Sequence, residues 1–232
     1  MQLKSLFLST ILTTLIGMST AHSAIQGMAS RVIYDGHYKA ATLTLKNNAD
    51  KAYMVQSWLE ANESNKEEGK VPFVVTPPLV KIESNQEAIL RFIYSGNGLP
   101  LDRESQFWIN IQEIPPKPEQ ENVLQLAIRS KIKLFYRPTQ LDVSLKDVIN
   151  QVKWSVKDNT LYLENRSPLY ITIGDLKLEN QKTVVKDLDQ DMIAPFSTTA
   201  VLKNIPANLS TLQYTYINEY GANVEMPIVQ LK

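Results

Sequence analysis

LQLAIRSKIKLFYRP, residues 124–138, is the stretch whose reading decides the fold. Leu124, Leu126 and Ile128 alternate with polar or small residues, and a period of two marks a β-strand with one apolar face. Lys131 and Lys133 then stand in the middle of the same run. A strand of this kind left at a sheet edge invites another chain to pair with it. Either it is packed inside the protein or it is exposed for a purpose. Pro138 ends the run, and YRPTQL (136–141) reads as a stiff elbow.

Upstream of the elbow, short strand-like runs alternate with turn signals. Strands are predicted near 31–34, 41–47, 52–60, 73–77, 80–83, 88–94 and 106–114. The segments NNADK, NESNKEEGK, SGNGLPLD and PPKPEQEN separate them and are rich in residues that make tight turns. Downstream the pattern restarts, at 152–156, 160–165, 169–179, 184–185, 199–204, 212–218 and 224–231. No long helical periodicity appears. The fold class is therefore all-β: two immunoglobulin-like sandwiches of about 100 residues each, joined by a short hinge. The boundaries predicted are 1–24 for a signal peptide, 25–138 for the first domain and 139–232 for the second.

The first 24 residues combine a basic start (MQLK), an apolar core (LFLSTILTTLIG, 6–17) and small residues suited to cleavage after Ala21, Ser23 or Ala24. That apolar core is too short to span a bilayer, and no later segment is a candidate. The sequence thus reads as an exported chain without membrane insertion. It has no cysteine, which excludes disulfide staples and an anchor through a lipidated cysteine. Its 24 basic residues balance 24 acidic ones, so the broad basic footprint of a nucleic-acid binder is absent.

Catalytic chemistry finds little to stand on. His22 lies in the leader and His37 in the turn DGHYK, where a lone histidine is a solvated residue. Neither a metal-ligand spacing nor a nucleophile elbow occurs. GNGLPL (96–101) lacks the third glycine and the helix of a dinucleotide loop, and is read as a plain turn. NES, NRS and NLS match the glycosylation triplet, a pattern common by chance. No cofactor and no metal are expected. Trp58, Trp108 and Trp154 are read as core. Arg31 and Lys133 differ, because both lie inside predicted strands among bulky apolar residues. They either snorkel from an edge into water or form a fixed cation pair awaiting an anion such as a carboxylate.

Several motifs together resemble the periplasmic pilus (fimbrial) assembly chaperones. They are SRVIYDG (30–36), VVTPPLVKIES (74–84), LDRESQFWINIQEIPP (101–116) and NVLQLAIRSKIKLFYRP (122–138), with weaker matches at ENRSPLYIT (164–172), MIAPFS (192–197) and YINEYG (216–221). The resemblance covers nearly all of the chain after residue 24. It implies two immunoglobulin-like domains in a boomerang, no enzyme activity and a periplasmic location. It also implies pilus subunits as partners, together with an outer-membrane usher that receives them.

In such a system the subunit lacks its final strand. The resemblance implies that residues 124–136 are lent to it, with Leu124, Leu126 and Ile128 as plugs in its open groove. Arg31 and Lys133 would anchor the subunit's C-terminal carboxylate in the cleft between domains. Arg91, Glu104 and Glu219 would form a buried inter-domain charge cluster, with glutamate at 219 where aspartate is more usual. The short connection IPPKPEQEN resembles the short-loop class. In the free state a second copy of the chain is a further candidate partner for the sticky strand. Lys133 has odd parity and the plugs even parity, so a regular strand puts them on opposite faces, the lysine toward the cleft. An exported pilus subunit or adhesin is the alternative, but it would need an alternating N-terminal extension and usually a cysteine pair.

Overall fold

The computed structural model describes residues 23–62, 71–118, 123–178, 183–206 and 208–231. Almost all of the predicted leader therefore lies outside the described residues, as do most of the NESNKEEGK turn and part of PPKPEQEN. Among the described residues the first domain holds nine strands: β1 (Ile25–Gly27), β2 (Arg31–Asp35), β3 (Ala41–Asn47), β4 (Tyr53–Ala61), β5 (Phe73–Thr76), β6 (Leu79–Ile82), β7 (Glu87–Tyr94), β8 (Ser105–Ile114) and β9 (Arg129–Arg137). They form two sheets, ordered β1-β3-β7-β5 and β2-β9-β8-β4-β6. Alternation along each strand sends one set of side chains between the sheets, among them Leu43, Leu90, Phe92, Phe107 and Leu134. Each such burial contributes roughly 1.5–3 kcal/mol before ordering costs.

The second domain is a separate sandwich with its own core, built on Leu161, Leu163, Ile171, Val201 and Leu212. A one-turn helix, α1 (Leu145–Val148), opens it, with the Ser144 N–H donated to the Asp147 carboxylate at 3.0 Å. One turn is too short to show helical periodicity, which is why the sequence pattern passes over it. Nine strands follow: β10 (Lys153–Lys157), β11 (Thr160–Asn165), β12 (Ile171–Leu178), β13 (Thr183–Val185), β14 (Met192–Ile193), β15 (Ser197–Lys203), β16 (Thr211–Ile217), β17 (Asn223–Glu225) and β18 (Val229–Gln230). One sheet is β10-β11-β15; the other is β13-β12-β16-β17, with β14 on β12 and β18 on β16. The predicted single strand at 224–231 is split around Pro227, which has no N–H to give a ladder. Among the described residues no helix is long and apolar enough to cross a membrane.

The NRS triplet illustrates how a surface motif can be a core device. Asn165 is 1% exposed and donates its amide to the carbonyls of Leu169 (2.8 Å) and Ala194 (2.9 Å), while its Oδ1 accepts the Ser167 N–H at 2.9 Å. It ties three segments together and is closed to glycosylation. Asn165→Ala is expected to lower the unfolding free energy by about 1–3 kcal/mol, because it strands buried carbonyls. Urea denaturation should show this as a lower midpoint at unchanged slope.

Residues 124–128 do not form the strand that their alternation predicts. The ladder begins only at Arg129, and residues 123–128 belong to no strand. Leu124 is 86% exposed, Leu126 72% and Ile128 41%. The last ties to the sheet are bonds that the Ile128 carbonyl accepts from the Glu113 N–H (2.9 Å) and Gln112 Nε2 (3.2 Å). Among the described residues, 123–128 enter neither hydrophobic core.

Candidate functional site

β9 is the element on which the site is built. It pairs antiparallel with β8 along Arg129–Tyr136, but β2 lies beside it, in parallel, only from Lys133 to Arg137. Among the described residues no strand covers the other edge of Arg129–Ile132. A cavity of about 790 Å³, lined in part by Gly27, Tyr53, Ser130 and Ile132, opens beside that bare edge. The exposed Leu124, Leu126 and Ile128 continue the chain out of the same strand. Their parity matches Ile132 and Leu134, which face the core.

Lys133, Phe135 and Arg137, odd residues of β9, face the second domain. Lys133 is the direct register partner of Arg31 on β2, and alternation gives both the same face. The lysine ammonium lies 3.6 Å from Asp191 and 5.9 Å from the Trp108 ring centroid. Arg31 donates a long bond to the Ile217 carbonyl (3.4 Å) and sits 5.9 Å from the Phe135 ring. Its buried Nε finds no acceptor among the described residues. Burial pushes the pKa of both cations down, although the Asp191 charge pulls each back up. Two desolvated cations side by side are a poor way to stabilise a free chain and a good way to bind an anion.

Lys133 lines an inter-domain cleft of about 620 Å³ together with Trp108, Lys131, Tyr170, Asp191 and Met192, among others, while Arg31 lies deeper, beside Glu104, Arg137 and Glu219. Two of the three tryptophans are therefore not core residues. Trp108 lines the cleft, and Trp58 lies on the same sheet face, its Nε1 donating to Glu60 at 3.1 Å. Lys131 closes that group with a 2.8 Å ion pair to Glu60. The hydrogen bond from Lys131, then that from Trp58, holds the Glu60 carboxyl down at about 2. Trp154 does pack in the second domain, against Tyr214.

Below the cation pair the domains are locked together. Arg137, at the end of β9, reaches Glu104 at 2.9 Å and Glu219 at 2.7 Å, and donates to the Val143 carbonyl at 3.3 Å. The other oxygen of Glu104 accepts the Tyr170 N–H (2.8 Å), while the Glu104 N–H is donated to the Pro168 carbonyl (2.8 Å). Burial pushes the Glu104 pKa up; Arg137 and the Tyr170 N–H oppose it. Phe135 and Tyr170, both buried but in neither core, pack ring against ring across the junction, tilted by 46° with centroids 5.6 Å apart. Glu219 is delivered by a turn in which the Asn218 side chain accepts two backbone N–H groups and Gly221 takes φ +85°. A side chain at 221 would also collide with Ser30.

One expected member of this cluster is misplaced. Arg91 lies on β7, in the other sheet, where Leu90 and Phe92 point inward and Arg91 is exposed on the outer face. It makes no ion pair with Glu104 or Glu219 among the described residues. Arg137 supplies the cation instead.

Residues 24–142 match the family described as pili and flagellar-assembly chaperone, PapD N-terminal domain. Residues 147–227 match pili assembly chaperone PapD, C-terminal domain. The chain belongs to the pilus-assembly chaperone family. This family is one of chaperones and not of enzymes. Among relatives of this chaperone, the probable fimbrial chaperone LpfB of Escherichia coli O157:H7 is 33% identical over 231 residues, covering 97% of this chain and 96% of the relative. The chaperone protein FocC of Escherichia coli is 39% identical over 204 residues, covering 85% and 86%. The crystal structure of the YadV chaperone superposes with a TM-score of 0.76 at 32% identity, over 90% of this chain and all of that one (100%). A chain from the Salmonella enterica complex of SafA pilin with the SafB chaperone gives 0.79 at 27% identity, over 92% and 99%.

Proposed function

We propose that this chaperone is exported to the periplasm by residues 1–24, binds a pilus subunit there and passes it to an outer-membrane usher. It lends the segment 124–136 to the subunit's incomplete sandwich, and Leu124, Leu126 and Ile128 fill the open groove. Arg31 and Lys133 take the subunit's C-terminal carboxylate and so fix the register in which the lent strand starts. The observation that carries this reading is the pattern of exposure: alternating apolar side chains run out of a well-built strand whose edge is bare. The ladder bonds along that edge would give affinity without demanding one subunit sequence. A periplasmic location accords with the similarity to a structure described as the periplasmic chaperone SfaE, 34% identical with a TM-score of 0.69. Subunit binding accords with the similarity to the SafA–SafB complex.

Alanine at Arg31 or at Lys133 tests the anchor. Each substitution removes a charge-assisted hydrogen bond worth about 1.5–3 kcal/mol, which corresponds to roughly ten- to a hundred-fold in affinity. A subunit co-expressed in the periplasm should no longer co-purify with the Arg31→Ala/Lys133→Ala chaperone. The circular dichroism and melting of the chaperone itself should be unchanged. Recovery of the complex at the wild-type yield from the double variant would remove the anchor role.

A further inference from the structure

We infer that Asp191 is a built-in counter-ion of the anchor, holding Lys133 in the subunit-free chain until an arriving carboxylate displaces it. The inference rests on the anchor reading given above and adds to it a residue of the second domain that sets how selectively the anchor accepts an anion.

Charge balance singles out Asp191. Arg31, Lys133, Arg137 and Glu104 of the first domain meet Glu219 and Asp191 of the second, so three formal cations meet three carboxylates. Lys131 and Glu60 beside them pair with each other, so the balance of these groups in the free chain stays neutral. A subunit carboxylate entering between Arg31 and Lys133 adds a fourth negative charge, and like charges at a shared site repel. One resident carboxylate must therefore turn away. Glu104 cannot, since its side chain is 2% exposed, and Glu219 is 29% exposed, whereas that of Asp191 is 54% exposed.

Asp191 is held through its backbone. Its carbonyl accepts the Ile173 N–H at 2.7 Å, and Met192 next to it is in register with Thr172. The backbone is fixed by the sheet, so the side chain always stands at the cleft. Its 3.6 Å approach to Lys133 is longer than the 2.7–2.9 Å of a full charge-assisted bond. Rotation of one side chain into water releases the lysine without moving either domain. Both anchor cations feel this carboxylate, whose charge opposes the effect of their burial. A small free carboxylate, which brings only its charge, must compete with Asp191. A subunit terminus also brings a strand and wins.

The test is an acetate titration of the full chaperone at constant ionic strength, with chloride as the balancing anion, read by NMR at the Lys133 side chain and Arg31 Nε. Asp191→Asn and Asp191→Ser should each tighten acetate binding about two- to five-fold, the range of a half-exposed ion pair. The gain should vanish in Lys133→Ala/Asp191→Asn, and acetamide should shift neither residue. Acetate binding that is equal or weaker in both Asp191 variants overturns the counter-ion role and leaves the anchor standing. No acetate-dependent shift in any variant overturns the anchor reading and the counter-ion with it.

Discussion

Replacing Leu126 with aspartate is expected to abolish subunit capture while leaving the chaperone folded. Two terms act together. The groove loses the burial of a leucine, roughly 1.5–3 kcal/mol, and must accept a carboxylate with no partner, which costs several kcal/mol more. The sum exceeds about 4 kcal/mol, or roughly a thousand-fold in affinity. The chaperone should not notice, because Leu126 is 72% exposed and outside every strand. Co-expression with a pilus subunit, followed by affinity purification and a melting curve on the same sample, reads both effects. A melting temperature that falls with capture intact would mean that the segment packs against its own protein. That outcome would end the donor-strand reading.

The contrast at this stretch shows what a sequence pattern can and cannot say. Alternation from Leu124 to Ile128 is a true strand signal, and it predicts one continuous strand to 136. The structure starts the ladder at Arg129. Alternation reports which side of a strand is apolar, but not whether this chain supplies the surface to cover it. From Ile132 onward the inner face joins Leu43, Leu90 and Phe107 in the core, which among the described residues takes in none of 123–128. The two sandwiches, by contrast, are legible nearly strand for strand, since each apolar face there is satisfied within its own domain.

The cation pair is legible for the same reason. Arg31 and Lys133 interrupt apolar faces in two strands, and strand parity alone puts Lys133 on the face away from the core residues Ile132 and Leu134. Parity also exposes the error at Arg91. In AILRFI the inward positions are Leu90 and Phe92, which leaves the arginine between them on the outer face. The residue that completes the cluster, Arg137, shares its parity with Lys131 and Lys133 and could have been placed by that rule. Asp191 could not. It comes from the loop before β14, and only the packing of one domain on the other carries it to Lys133.

Arg137→Ala should be the most damaging single substitution in the chaperone itself. Arg137 is 14% exposed and faces Glu104, at 2%, together with Glu219. Removing one partner of a buried pair leaves a buried charge held only by the Tyr170 N–H, a loss of about 3–5 kcal/mol. The pH dependence separates this cause from lost packing. Burial already raises the Glu104 pKa above its ordinary 4.5, and deleting Arg137 removes the largest opposing influence, so the folded-state value climbs further. For a carboxyl whose folded pKa exceeds its unfolded one, stability is fully present below the unfolded value and is lost as pH rises through the folded one. Urea unfolding of Arg137→Ala should therefore show a deficit that is small near pH 4 and grows toward neutrality. Arg137→Ala/Glu104→Gln should lose that slope and recover much of the deficit, because the amide can still accept the Tyr170 N–H without carrying a charge. A deficit below about 1 kcal/mol with no pH slope is the behaviour of a solvated surface pair. The domain angle would then have to be set by Phe135 packing on Tyr170, and small-angle scattering of Phe135→Ala would be the place to look for it.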